Sequence, residues 1–421
     1  MSMPSEPRRG AAPAPIPLSA PELRGNEWAY VKDCLDTGWV SSAGAYVERF
    51  ERQVADYVGA PHAVATVNGT SALHVALLAA GVQPGDEVLV SSLTFIAPAN
   101  AVRYCGAHPV FVDAEPEYWQ MDAARVAAYL RDGCVRRAGR AVSRQTGRRV
   151  GAVLPVHILG HPVDMDPLLE AARAAGVPVV EDATESLGAR YKGRPVGALG
   201  DVACFSFNGN KLITTGGGGM IVTAHRAWAE RSRYLTTQAK DDPVEYVHGA
   251  VGYNYRLTNV QAAIGCAQME ALDAYVAAKR RLAAAYAAAF AGVPGIRPMR
   301  EAPWAHSTYW LYTVAVDAAR YGLDSRALMR KLADGGIQTR PLWQPLHGSP
   351  VYAGSLCLGG GVAEELNREC LSLPSSVGLG ARDQGRVIES VLGEQKKAGA
   401  SPRPRKPRRP AGAGGKRGNN A

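Results

Sequence analysis

The sequence predicts an α/β fold with a mainly parallel central sheet flanked by helices, followed by a smaller C-terminal α+β domain. Two observations carry the prediction. Short β-branched runs alternate with alanine-rich stretches of helical period through the first two thirds of the chain, and the rhythm changes near residue 258. The chain's 421 residues, 47% apolar and 20% charged, are an ordinary globular balance and enough for two to three average domains, which excludes wholesale disorder.

Taken in order, Ser19-Ala20-Pro21-Glu22 has the spacing of a capping box and predicts a helix running toward Asp36. Strands are expected at Glu87 to Ser91, Pro109 to Val112, Ala152 to Val156, Val177 to Glu181 and Ala203 to Phe207. Helices are expected at Ser71 to Ala80, Pro98 to Cys105, Asp122 to Leu130 and Pro167 to Ala175. Such alternation implies right-handed crossovers, with ligands at the carboxyl ends of the strands. From Arg131 to Arg149 the periodicity fails. Seven arginines with Gly and Ser read as a surface excursion or short hairpin. A long helix is expected from Thr258 to about Ala291, then a strand over Tyr309 to Val316 and helices over Ser325 to Asp334 and Ala381 to Leu392. The implied division is a flexible lead (1–16), a large domain (17–257), a small domain (258–395) and a disordered basic tail (396–421).

The charge follows that division. The net charge is +9, but Lys396 to Ala421 holds nine Lys/Arg and no acid, leaving 47 − 9 = 38 bases against 38 acids in the rest. A nucleic-acid binder would carry its basic and aromatic residues on the folded part, so no specific nucleic acid is expected as partner. Seven scattered cysteines, without CxxC pairs or zinc-type spacing, read as reduced thiols and indicate no metal site. No apolar run approaches the roughly 18 to 20 residues that cross a bilayer, and the start has no apolar core of the secretory kind. The expectation is a soluble cytoplasmic protein with no membrane partner.

The chemistry is concentrated in a few segments. Phe205-Ser-Phe-Asn-Gly-Asn-Lys211 runs from a strand into a polar turn, and Gly216 to Gly219 form a loop able to approach something closely. The order of a P-loop is absent, and a flexible turn with a solvated lysine is the competing reading. Upstream, Val177-Pro-Val-Val-Glu-Asp182 ends a buried-type strand on a carboxylate at the ligand edge. A lysine that forms a Schiff base and an aspartate that holds a pyridinium nitrogen protonated are the two groups a pyridoxal phosphate enzyme requires. Val67-Asn-Gly-Thr-Ser-Ala-Leu-His74 opens a helix with small hydroxyl residues, which suits a phosphate, although it also reads as a plain helix cap.

In this order, NGTSAL, SSLTFIAPANAV, VPVVEDATESLGARYKG, FSFNGNK with GGGGM, and Gly252-Tyr-Asn-Tyr-Arg-Leu257 resemble the nucleotide-sugar aminotransferases of the DegT family, within the fold-type I pyridoxal phosphate enzymes. The likeness covers about residues 17 to 395. It implies that Lys211 attaches pyridoxal 5'-phosphate and shuttles protons, and that Asp182 pairs with the pyridine nitrogen. Thr70, Ser71 and Ser206 would hold the phosphate and Phe95 would stack on the ring. Asn254 would reach the phosphate of a neighbouring subunit, which makes the enzyme a homodimer. Glu185 stands where many relatives have Gln or His, as partner of the cofactor's 3-oxygen. Sugar dehydratases of this fold have histidine in place of the lysine, so Lys211 favours transamination.

The segments beyond the cofactor motifs are similar to the subgroup that aminates C4 of UDP-linked 4-keto-6-deoxy-N-acetylhexosamines, with L-glutamate as expected donor. GDP-4-keto-6-deoxymannose, giving perosamine, is the main alternative, and a 3-amino sugar aminotransferase is a further one. Trp39, Ser41, Ser42 and His347 become candidate sugar contacts, and Arg256 or the arginines of the Arg131 to Arg149 insert become candidates for the diphosphate. GWVSS also reads as a packed tryptophan with a helix cap, and His347 as a histidine packed in a Pro-rich loop. His157 and His161 are expected to satisfy local backbone.

Overall fold

The computed structural model describes residues 14–242 and 244–399. The alternating part of the chain builds one continuous sheet. Its strands lie in the order Cys357–Leu358, His108–Val112, Glu87–Ser91, Val150–Leu154, Val180–Asp182, Val202–Ser206, Gly219–Thr223 and His62–Thr66. Parallel bridges Val153–Val179 and Val156–Asp182 join its two halves. Gly219–Thr223 is antiparallel to both neighbours; the other pairings are parallel. Helices cover both faces, so Glu87–Ser91 and Val150–Leu154 are buried along their whole length. The helices expected from Ser71, Pro98, Asp122 and Pro167 appear as Gly69–Ala79, Ala97–Tyr104, Ala123–Ala128 and Met165–Ala175.

The arginine insert is a hairpin, Cys134–Arg137 paired antiparallel with Arg140–Ser143. It sits at the amino ends of the sheet strands: Tyr129 and Thr146 hydroxyls bond Glu87 at the start of its strand, and the Arg149 guanidinium holds Asp86. Ligands of a parallel sheet bind at the other end.

The helix expected from Ser19 starts instead at Glu27 and runs to Asp36. Tertiary contacts win over the local capping pattern: Ser19 Oγ donates to Asn210 O at 3.0 Å, and Ala20 N donates to Ser376 Oγ at 2.9 Å, holding the segment open. The expected lead ends earlier than residue 16. Ile16 is 2% exposed and exchanges backbone hydrogen bonds with Gly336 and Gln338. The rest of the lead, residues 1–13, lies outside the described residues. So does the tail from residue 400 on, while residues 396–399 continue the last helix, Ala381–Gly399.

Thr258 caps the long helix Asn259–Phe290 through its hydroxyl and the Gln261 amide. Ala262, Cys266 and Val276 belong to the core of the large sheet; Leu282, Tyr286 and Phe290 belong to a second core. The passage from one core to the other therefore falls inside this helix, beyond the start of the helix at 258/259. Gly265 lets it press against the helix Ala45–Val58, since a Cβ there would stand 2.7 Å from the Phe50 ring. Filling that contact would cost about 1–3 kcal/mol. The second core covers an antiparallel sheet, Ile296–Pro298, Tyr312–Val316, Cys370–Leu373 and Arg340–Pro341, as the α+β expectation requires. The Tyr309 to Val316 run enters its strand only at Tyr312. Tyr309 is left-handed, φ 50°, and turns Trp310 out of the ladder.

All seven cysteines are free thiols. Among the described residues no cluster of His, Cys, Asp or Glu could hold a metal, and no helix is long and apolar enough to cross a membrane.

Candidate active site

At the carboxyl ends of the strands lies a cleft of about 400 Å³. Asp182 ends one strand and Ser206 the next. Lys211 sits in the turn that leaves Ser206, and Thr94 and Phe95 follow Glu87–Ser91. Trp310 and Trp343 close the opposite wall, their rings nearly parallel at 6.4 Å.

The glycine run has a definite neighbour. Gly216 and Gly218 have φ of 80° and 126°, and a Cβ on Gly219 would lie 2.5 Å from Asn68 O. Only glycine lets the chain double back after Lys211 and pass the Asn68 turn at that distance. That turn starts the helix Gly69–Ala79: Asn68 Oδ1 accepts the Ser71 amide at 2.8 Å, while the first-turn amides of Gly69 and Thr70 have no intrahelical acceptor, and both residues line the cleft. A Cβ on Gly69 would meet Ser206 Cβ at 2.9 Å. Gly69, Thr70 and Ser206 thus form a concave, donor-rich corner suited to a phosphate. Ser71 is buried in the same turn and does not line the cleft.

Lys211 Nζ stands 3.8 Å from Glu185 Oε1 and 4.1 Å from the centre of the Trp310 ring. Burial lowers the lysine pKa, against the raising pull of Glu185 and Asp182. Burial also raises Glu185, to about 7, against Lys211 and the Leu159 amide, which donates to Oε2 at 2.8 Å. Asp182 is raised by burial too, opposed by the Thr184 amide on Oδ1 at 3.1 Å and by the charge of Lys211. Burial thus shifts both Lys211 and Glu185 in the direction of their uncharged forms.

A pyridoxal phosphate fits these residues. The phosphate corner, the Asp182 carboxylate, the Lys211 amine and the Phe95 ring converge on one cleft.

Other expected residues lie elsewhere. Asn254 is exposed, bridges to Thr237 and does not line the cleft of its own chain. Trp39, Ser41 and Ser42 form an exposed loop, where the Trp39 and Ser41 carbonyls accept from Asn259 Nδ2 and N at 2.7 and 2.6 Å. This loop braces the long helix and is not part of the cleft. Arg256 is bound to Glu51, which Arg233 also holds, and so is not the free arginine a diphosphate requires. The arginines of the hairpin lie at the far end of the sheet. His347 stands beside the cleft: Nδ1 is 2.5 Å from Ser92 Oγ and Nε2 is 3.2 Å from Glu364 Oε1. His157 and His161 each bond local backbone, the Val163 amide and the Pro162 carbonyl, but also reach distant partners, the Glu181 carboxylate and the Ala302 amide.

Sequence reasoning missed Thr94, Thr184, Asn208, Asn210, Trp310 and Trp343 as lining residues. Thr94, Thr184, Asn208 and Asn210 sit inside the motifs SSLTFIA, EDATES and FSFNGNK, within two residues of ones already singled out. Trp310 carries no local signal, because a tryptophan in a strand-like run reads as core.

The fold and the lysine–aspartate cleft define a pyridoxal phosphate-dependent aminotransferase. Residues 21–392 match the DegT/DnrJ/EryC1/StrS aminotransferase family, and the chain belongs to that family of nucleotide-sugar aminotransferases. It is 42% identical over 379 residues to a GDP-perosamine synthase of Caulobacter vibrioides, covering 89% of this chain and 97% of that protein. It is 37% identical to a GDP-perosamine synthase of Escherichia coli O157:H7, with 89% and 97% covered. Among solved structures, the aminotransferase TlmJ of Streptoalloteichus hindustanus superposes with a TM-score of 0.82 at 31% identity, over 91% of this chain and all of that one.

Proposed function

We propose that the enzyme transfers an amino group to C4 of a GDP-linked 4-keto-6-deoxyhexose, giving a perosamine-type sugar nucleotide. The observation that carries this reading is the near full-length likeness to GDP-perosamine synthases, which favours the GDP-linked alternative over the UDP-linked N-acetylhexosamine expected from sequence. L-Glutamate as donor, a homodimer and a cytoplasmic location belong to the same proposal.

When bound, pyridoxal phosphate supplies an electron sink for the carbon that gains or loses the amino group. Gly69 and Thr70 amides with the Ser206 hydroxyl would hold its phosphate, and Asp182 its pyridine nitrogen. Lys211 Nζ, disposed by burial toward the neutral amine, accepts the proton from Cα of the donor and delivers one to C4 of the sugar. Glu185, held by the Leu159 amide, stands beside that amine with its pKa raised by burial to about 7.

Incubation of the purified enzyme with L-glutamate and either GDP-4-keto-6-deoxymannose or the UDP-linked N-acetyl analogue tests the reading. NMR of the product should show a 4-amino sugar from the GDP substrate. Turnover confined to the UDP substrate, or amination at C3, would reject it.

A further inference from the structure

The long helix carries a lysine that the chemistry above does not use. Lys279 is 2% exposed, and its Nζ donates to Trp310 O at 2.6 Å and, closer still, to Ser375 O. Both partners are neutral carbonyls, and burial pushes the Lys279 pKa down to about 7. Charged or neutral, the amine keeps at least two N–H donors for the two carbonyls. A buried amine is expensive where an apolar side chain would fill the space, so the question is what those carbonyls hold in place.

Trp310 answers it. Its Nε1 donates to Asn210 O at 2.7 Å, next to Lys211, and its ring lies 4.1 Å from Lys211 Nζ. The left-handed turn at Tyr309 takes it out of the strand, so the ladder does not fix its position. Arg280, adjacent to Lys279, donates to Ser307 O at 2.7 Å and pairs with Glu301, which accepts the Ser307 amide. Two consecutive residues of one helix thus grip the start and the end of the turn that carries the indole.

We infer that Lys279 is a positioning residue for amino transfer: by holding the Trp310 carbonyl it keeps the indole over Lys211, confining the catalytic amine between the ring and Glu185.

The test compares Lys279→Met, which removes the donors at similar length, with Lys279→Gln, which keeps an N–H pair on a shorter arm. Each is checked for a cooperative melt. In the apoprotein, labelling of Lys211 by acetic anhydride across pH, followed by peptide mass spectrometry, reads the titration of that amine without cofactor or turnover. Lys279→Met should lower kcat roughly tenfold to a hundredfold with little change in KM, as expected when a reacting group is misplaced. It should also move the Lys211 titration up toward that of an ordinary lysine, because water reaches the amine. Lys279→Gln should recover part of both effects. Trp310→Leu should shift Lys211 in the same direction, and the double variant no further, since one residue acts through the other. A folded Lys279→Met with unchanged kcat and Lys211 titration, or additive shifts in the double variant, would overturn the inference. Failure of both the Met and Gln variants to fold would also overturn it, by making Lys279 a fold residue only.

Discussion

Lys211 and Glu185 face each other across the cleft, Nζ 3.8 Å from Oε1, and burial drives both toward their uncharged forms. An amine beside an acid that can keep its proton near neutrality suits a reaction in which one group must both take and give protons.

The raised Glu185 makes stability pH-dependent. Its ordinary value is 4.5 and its folded value about 7, so the folded protein holds a proton there that the unfolded chain has released. The stabilising contribution is complete below pH 4.5 and is lost as pH rises through about 7. Glu185→Gln should therefore gain stability relative to the parent apoprotein between pH 5 and pH 8, by up to about 3 kcal/mol at the upper end. Calorimetry at the two pH values checks this. A difference between the two proteins that does not change with pH would contradict the assignment.

Loss of Lys211 should be far more severe. Lys211→Ala leaves no amine to move the proton, and Lys211→Arg substitutes a guanidinium that stays protonated. Both should fold and lose about a thousandfold or more in turnover. Borohydride trapping of the native enzyme with pyridoxal phosphate, followed by peptide mapping, should place the label on Lys211. Label on another lysine would refute the role.

Gly69→Ala tests the phosphate corner. Its new Cβ would stand 2.9 Å from Ser206 Cβ and 3.2 Å from Thr184 Cγ2, narrowing the space between the helix start and the strand end. Pyridoxal phosphate should bind about tenfold to a hundredfold more weakly, in line with an overpacking cost of about 1–3 kcal/mol. Spectrophotometric titration of the apoprotein measures this, and unaltered affinity would place the phosphate elsewhere.

Asn254 lies exposed and outside its own chain's cleft, as a residue serving a second subunit would. Sedimentation should show a dimer at low micromolar concentration. Mixing Lys211→Ala with Asn254→Ala subunits should give hybrids with one site free of both substitutions, restoring turnover that neither parent has. A fully active monomer would rule out the shared site.

The sequence alone determined the alternating core and the long helix and singled out Lys211 and Asp182, while it left the arginine insert as a surface excursion or a short hairpin. Those features are written in local signals: β-branched runs, helical spacing, or a strand ending on an acid before a polar turn. Glycines around Lys211 were legible for the same reason, because a positive φ or a close approach forbids other residues. Tertiary structure alone decided what those signals do not encode. Ser19 serves Asn210 instead of capping a helix, Arg256 is committed to Glu51, and the arginine hairpin stands at the amino ends of the strands. Trp310 reaches Lys211 through a left-handed turn at Tyr309, with Lys279 on its carbonyl and Asn210 O on its indole. Side-chain pairing between distant segments depends on how the two cores pack across one helix, and periodicity along the chain carries no record of that packing.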